Sequence, residues 1–202
     1  DYEDISNSAE IEQEIEQEND DCNTESAGEP TECENEVGAQ AQEAAIQIAN
    51  SGVVGATYED VSNSAEIEQE IEQENEDCTD AGCFNFVGAQ AQLSEIAIIN
   101  EGTSAGASYE DITNSARVEQ EIEQQNKDCE NAGCFNEVGA QAQEAAIAIA
   151  NVGGSSNSEA SYEDVENSAK IEQEIEQANE CEEALCANEI GVQEQLAGIT
   201  II

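Results

Sequence analysis

One pattern recurs four times along this chain, and it restricts the possible folds more than any other property. Tyr-Glu-Asp-Ile/Val opens a unit at Tyr2, Tyr58, Tyr109 and Tyr162. Asn-Ser-Ala follows, beginning at Asn7, Asn63, Asn114 and Asn167. Then comes Ile/Val-Glu-Gln-Glu-Ile-Glu-Gln, starting at Ile11, Ile67, Val118 and Ile171. An acidic loop with two cysteines leads to a second segment, typified by Val-Gly-Ala-Gln-Ala-Gln and a later Ile-x-Ile. Gly, Ser and Ala linkers join the units, which span about 1–56, 57–107, 108–160 and 161–202 of a single repeat domain, 1–202. Self-similar units of this size bury their apolar faces by stacking on one another.

The repeated segments alternate with period two. In the first unit Ile11, Gln13, Ile15, Gln17 and Asn19 share one face, and Glu10, Glu12, Glu14, Glu16 and Glu18 share the other. In the second segment of the third unit, Gln141, Gln143, Ala145, Ile147, Ile149 and Asn151 have one parity. This is the period of a strand with one buried face. A helical reading competes with it. Ala, Glu, Gln and Ile include strong helix formers, Ser8 is a candidate cap, and Ile11 and Ile15 lie four apart. A helix would, however, bring Glu10 near Glu14 and Glu14 near Glu18, at a cost of roughly 0.2–0.5 kcal/mol per pair. The expected fold is all-β, a β-solenoid of four units with one disulfide-stapled loop per unit. The alternative is a series of α-helical hairpin repeats. In-register strands would align Gln13, Gln69, Gln120 and Gln173, and likewise Ile15, Ile71, Ile122 and Ile175. Stacked Gln amides can then hydrogen-bond along the axis.

The stretch Asn-Ser-Ala-x-Ile/Val-x-Gln, at Asn7, Ser8, Ala9, Ile11 and Gln13 and their counterparts, resembles the curli-type repeats of functional amyloid fibres. The units here are longer, carry cysteines and are far more acidic. What the resemblance implies is strand-turn-strand units stacked into an extracellular structural fibre.

Charge narrows the function classes. The chain holds 49 Asp and Glu against 3 Lys and Arg, for a net charge of −46. Nucleic acids and anionic membranes require clustered cations, so neither is an expected partner. Metal ions, protons and basic proteins are. Without His the usual base for a Ser or Cys nucleophile is missing, and no carboxylate pair is distinguished by its context. No phosphate loop or EF-hand pattern occurs. The expectation is a protein that is not an enzyme and requires no cofactor. The first residue is Asp1 and Met is absent, which suggests that a secretion signal was removed. No apolar run approaches the ~20 residues needed to span a bilayer. The expected location is extracellular or at the cell surface.

Each unit carries two cysteines: Cys22 and Cys33, Cys78 and Cys83, Cys129 and Cys134, Cys181 and Cys186. Local pairing within each unit is the expectation, and export makes oxidation reasonable. Zinc is the rival, but Cys-x4-Cys is poor spacing and there is no His.

In-register stacking would line up Glu12, Glu68, Glu119 and Glu172. Neighbouring strands lie about 4.8 Å apart, inside the ~8 Å screening length. Two remedies follow: calcium bridging these four carboxylates, or Ala-rich strands placed between the Glu-rich ones. The second is the expectation, with calcium helpful but optional.

Both ends read as interior repeat surface rather than as polar caps. A head-to-tail contact that does not close makes a filament. The expected function is a structural subunit of an extracellular homopolymeric filament with a matrix or adhesion role, joined through Tyr2, Ile5, Ile199, Ile201 and Ile202. The alternatives are a monomeric, acidic, calcium-binding matrix protein and a helical-repeat interaction module.

Overall fold

A computed structural model describes residues 4–20, 32–52, 57–80, 82–102, 108–152 and 161–202. Among these residues the protein is built of strands, with no helix. The helical-hairpin alternative is therefore wrong. Glutamates at every second position repel one another down a helix face, whereas in a strand they all point away from the buried side.

The strands are β1 (Ile5–Asn19), β2 (Glu32–Val37), β3 (Gln40–Gly52), β4 (Thr57–Tyr58), β5 (Val61–Asn75), β6 (Gly82–Val87), β7 (Gln90–Gly102), β8 (Ser108–Glu130), β9 (Gly133–Val138), β10 (Gln141–Val152), β11 (Ser161–Glu182), β12 (Leu185–Ile190) and β13 (Gln193–Ile201). They form three sheets, in the orders β1-β5-β8-β11, β2-β6-β9-β12 and β3-β7-β10-β13. Every pairing among these is parallel. Each unit thus gives one main strand to each sheet, the short β4 of the second unit adding a further parallel pairing to β8, and like residues stack on like: Ile11 on Ile67, Gln13 on Gln69, Ile15 on Ile71.

Within a unit the chain runs out along the long strand and returns over it. Asn19 at the far end of β1 hydrogen-bonds Asn35 of β2, and Asn7 near its start hydrogen-bonds Asn50 of β3. The cross-section is therefore two layers deep. Three corners make the return possible. The Asp of each Tyr-Glu-Asp motif, at Asp4, Asp60, Asp111 and Asp164, has φ between 52° and 56°, a left-handed conformation that a short polar side chain tolerates. The cysteine loops turn at Asp80, Asn131 and Glu183, also at positive φ. At the third corner Gly139 N donates to Val87 O at 2.8 Å, and a Cβ there would lie 3.3 Å from Gly88 O. The recurring glycine lets one unit's backbone close on the next.

The core is thin and half amide. Ile67 and Val118 of the long-strand sheet pack against Ile46, Ile96 and Ile147 across the two layers. Ile71 and Ile122 meet Val37, Val87 and Val138. Between them lie fully buried Gln69, Gln73, Gln120 and Gln124, and buried Asn63, Asn75, Asn114 and Asn126. Buried amides are tolerable only when hydrogen-bonded, and these eight are; Gln141, buried in β10, is an exception whose side-chain amide has no partner. Gln120 Nε2 donates to Gln69 Oε1 at 2.9 Å, and Asn126 Nδ2 donates to Asn136 Oδ1 at 2.7 Å.

The expected interleaving of Glu-rich with Ala-rich strands does not occur. Glu-rich β1, β5, β8 and β11 are direct neighbours, and the Ala-rich strands form a sheet of their own. Interleaving would pull every Asn and Gln off its identical partner. Leaving buried amides unmet costs about 1–3 kcal/mol each, more than exposed carboxylates lose by facing one another.

Candidate functional site

Two surfaces stand out: the outward face of the long-strand sheet, and the edges of the first and fourth units. On the first, the strand register lines up Glu12, Glu68, Glu119 and Glu172 as expected. Two more complete rows run beside it: Glu14, Glu70, Glu121 and Glu174, then Glu16, Glu72, Glu123 and Glu176.

All three cations of the chain serve this face. Arg117 Nη1 lies 2.6 Å from Glu66 Oε1, and the same guanidinium pairs with Glu119 and reaches Glu172 at 3.6 Å. Lys170 Nζ is 2.6 Å from Glu172 Oε1. Lys127 pairs with Glu74, and with Glu76 at 3.1 Å. In the sequence these three cations stand out only by their rarity. Their place in the repeat, Arg117 and Lys170 two residues before Glu119 and Glu172 and Lys127 four residues after Glu123, all on the glutamate face, was the signal that could have assigned them.

The glutamates without a cation of their own carry the electrostatic load. Partial burial, and then Glu72 on the same strand and Glu14 on the neighbouring one, push the Glu70 carboxyl above its ordinary value. Glu121 is raised by burial, then by Glu70 and Glu123. Glu123 is raised by burial, then by Glu72 and Glu176. Burial, then Glu119 and Glu12, raise Glu68. Glu172 is the opposite case, held low by its hydrogen bond from Lys170. At the corner after β1, Glu18, Asp20 and Glu76 bring carboxylate oxygens within 4.8 Å of one another, a cluster not foreseen from the sequence.

Three of the expected disulfides are present: Cys78–Cys83, Cys129–Cys134 and Cys181–Cys186. With the sulfurs joined, no thiolate is left there for zinc. Cys33 is also disulfide-bonded; Cys22, its expected partner, lies outside the described residues, as does Tyr2. The fourth unit is one residue shorter before its loop, and the pairing of β11 with β8 skips between Asn179 and Cys181.

At the edges, residues of the type buried in the middle of the stack face outward. Ile96 and Ile98 of β7 are fully buried, but their counterparts Ile199 and Ile201 of β13 are 48 % and 47 % exposed. Leu185, Val192, Leu196 and Ile202 are exposed beside them. At the opposite edge Ile5, Ile11 and Ile15 are half-buried. Ile5 packs against Tyr58, Val61 and Ile112. Strands β1, β2 and β3 at one end, and β11, β12 and β13 at the other, each pair on one side. Long edges of this kind are open to further strand pairing.

No protein-family model, curated protein or solved structure matches the chain.

Proposed function

We propose that the protein is a four-unit β-solenoid, one disulfide per unit, that serves as the structural subunit of an extracellular homopolymeric filament. Copies stack head to tail, giving a matrix or adhesion fibre of the kind the curli-like repeat suggests. The observation that carries the reading is the pair of open sheet edges, β1, β2 and β3 on one side and β11, β12 and β13 on the other. Both expose strand backbone together with Ile and amide positions that the second and third units bury. The disulfides favour an oxidising, extracellular setting. On this reading the protein has no catalytic role, and its partners are copies of itself.

Electron microscopy of purified protein tests this directly. Unbranched filaments are expected, and removal of residues 199–202 should leave monomers. Monomers at every concentration would overturn the proposal. The carboxylate rows support a second reading, a monomeric calcium-binding matrix protein with Glu12, Glu68, Glu119 and Glu172 as ligands. Oxygen-rich sites suit calcium, and calorimetric titration of monomer with calcium distinguishes the two.

A further inference from the structure

We infer that the filament junction is a continuation of the repeat itself: the fourth unit of one copy pairs in parallel register with the first unit of a second copy, and Lys170 meets Glu10 there. The inference rests on the filament reading and adds its polarity and register.

Charge supplies the first argument. At one outward position the strands carry Glu10, Glu66, Arg117 and Lys170 in spatial order. The acid end of this row lies at the first-unit edge and the basic end at the fourth-unit edge. The 2.6 Å pair between Arg117 and Glu66 shows that a base and an acid at this position reach one another across adjacent strands. Extending the sheet by one strand sets Lys170 beside Glu10 of the second copy. Lys170 already holds Glu172, and an ammonium group has donors for both. At another outward position the order is Glu18, Glu74, Gln125 and Ala178. Glu18 therefore meets Ala178 at the junction, not a carboxylate.

Amide direction supplies the second. Asn ladders donate toward the fourth unit: Asn7 Nδ2 to Asn63 Oδ1 at 2.9 Å, Asn63 to Asn114 at 2.8 Å, and Asn114 to Asn167 at 2.7 Å. Gln ladders donate toward the first: Gln69 Nε2 to Gln13 Oε1 at 2.7 Å, Gln120 to Gln69 at 2.9 Å, and Gln173 to Gln120 at 2.8 Å. The fourth-unit edge thus presents an Asn donor and a Gln acceptor, and the first-unit edge presents the reverse. Head-to-tail contact satisfies both ladders at once. Joining two like edges would run the strands antiparallel and put neither Gln on Gln nor Lys170 on Glu10.

The test uses the full chain with two charge reversals, Lys170→Glu and Glu10→Lys. Each new side chain gains an attractive neighbour inside its own molecule, Arg117 in the first case and Glu66 in the second, so each variant folds; circular dichroism checks this. At low salt each variant alone should show a critical concentration raised roughly three- to tenfold. An equimolar mixture should recover wild-type assembly, because alternating copies restore an acid–base pair at every junction. Wild-type filaments should rise by about 19 Å per copy, four strand spacings, in helical reconstruction. If the wild-type protein forms no filaments, the filament reading fails and the junction with it. If it does, but the single variants assemble equally well, the mixture gives no recovery or the rise differs, the register is wrong and the filament reading survives.

Discussion

The two wide sheets bury the same residue types and show water different ones. In β8 the residues between inward Val118, Gln120, Ile122 and Gln124 are Glu119, Glu121 and Glu123. In β10 the residues between inward Gln143, Ala145, Ile147 and Ile149 are Glu144, Ala146 and Ala148. Yet both sheets stack in the same parallel, like-on-like register. The inner ladders therefore set the register, and the outer face follows whatever its charge. Where that face is glutamate, the repulsion is handled locally, by three basic side chains and by carboxylates that hold their protons more tightly.

The sharpest way to break this comparison is to remove a buried amide. Asn126 donates to Asn136 and Asn179 and accepts from Asn75 and Asn85. Asn126→Ala should cost about 2–4 kcal/mol in urea unfolding, because several buried partners lose their mate. Ala146→Ser on the outer face should stay within about 0.5 kcal/mol. Equal effects would mean that the inner ladders do not decide the fold.

A smaller loss is expected from the loop staples. Replacing Cys129 and Cys134 together by Ser opens a short loop and should lower stability by about 2 kcal/mol. The same change on the background of Asn126→Ala, measured by unfolding, shows whether corner and ladder act independently.

Acid should act in the opposite direction. Glu68, Glu70, Glu121 and Glu123 are raised above their ordinary value of 4.5 in the folded protein. The folded state then binds protons more tightly than the unfolded chain. This contribution is fully present below the unfolded value and is lost as pH rises through the folded one. The melting temperature should therefore climb as pH falls from neutrality toward the ordinary carboxylate range. Glu70→Gln and Glu121→Gln should each stabilise the protein at neutral pH, by about 0.5 kcal/mol, and flatten the pH profile. A melting temperature that falls steadily on acidification would contradict the account of the Glu rows.

The smallest effect belongs to the cations. Arg117→Gln breaks half-exposed pairs with Glu66, Glu119 and Glu172 and should cost less than about 1 kcal/mol. The loss should fade in high salt. A large, salt-independent loss would show that Arg117 matters through packing.

Much of the fold was legible because the repeat repeats itself. Strict alternation separated Ile11 and Gln13 from Glu12, and fixed recurrence announced that Gln13 would stack on Gln69. The short strands β2, β6, β9 and β12 were missed. Six residues give a weak periodic signal, and their outward residues vary from Phe84 to Ala187. The inward series Cys83, Asn85, Val87, repeated as Cys134, Asn136, Val138, was the signal that could have found them. The strand order was misjudged because repulsion between glutamates was weighed without the amides on the other side of the same strands.

Alternation, repeat spacing and cysteine pairing are local properties, and a period of two dictates which residues share a face whatever the strand pairs with. The sequence alone therefore determined that these segments are strands and which side of each is buried. Which strand lies beside which depends on residues far apart in the chain meeting in space. Asn35 joins Asn75 and Asn85, and Gln42 is joined by Gln92. These contacts decided the order of the sheets, because a buried amide needs a partner more than an exposed carboxylate needs distance from its own kind.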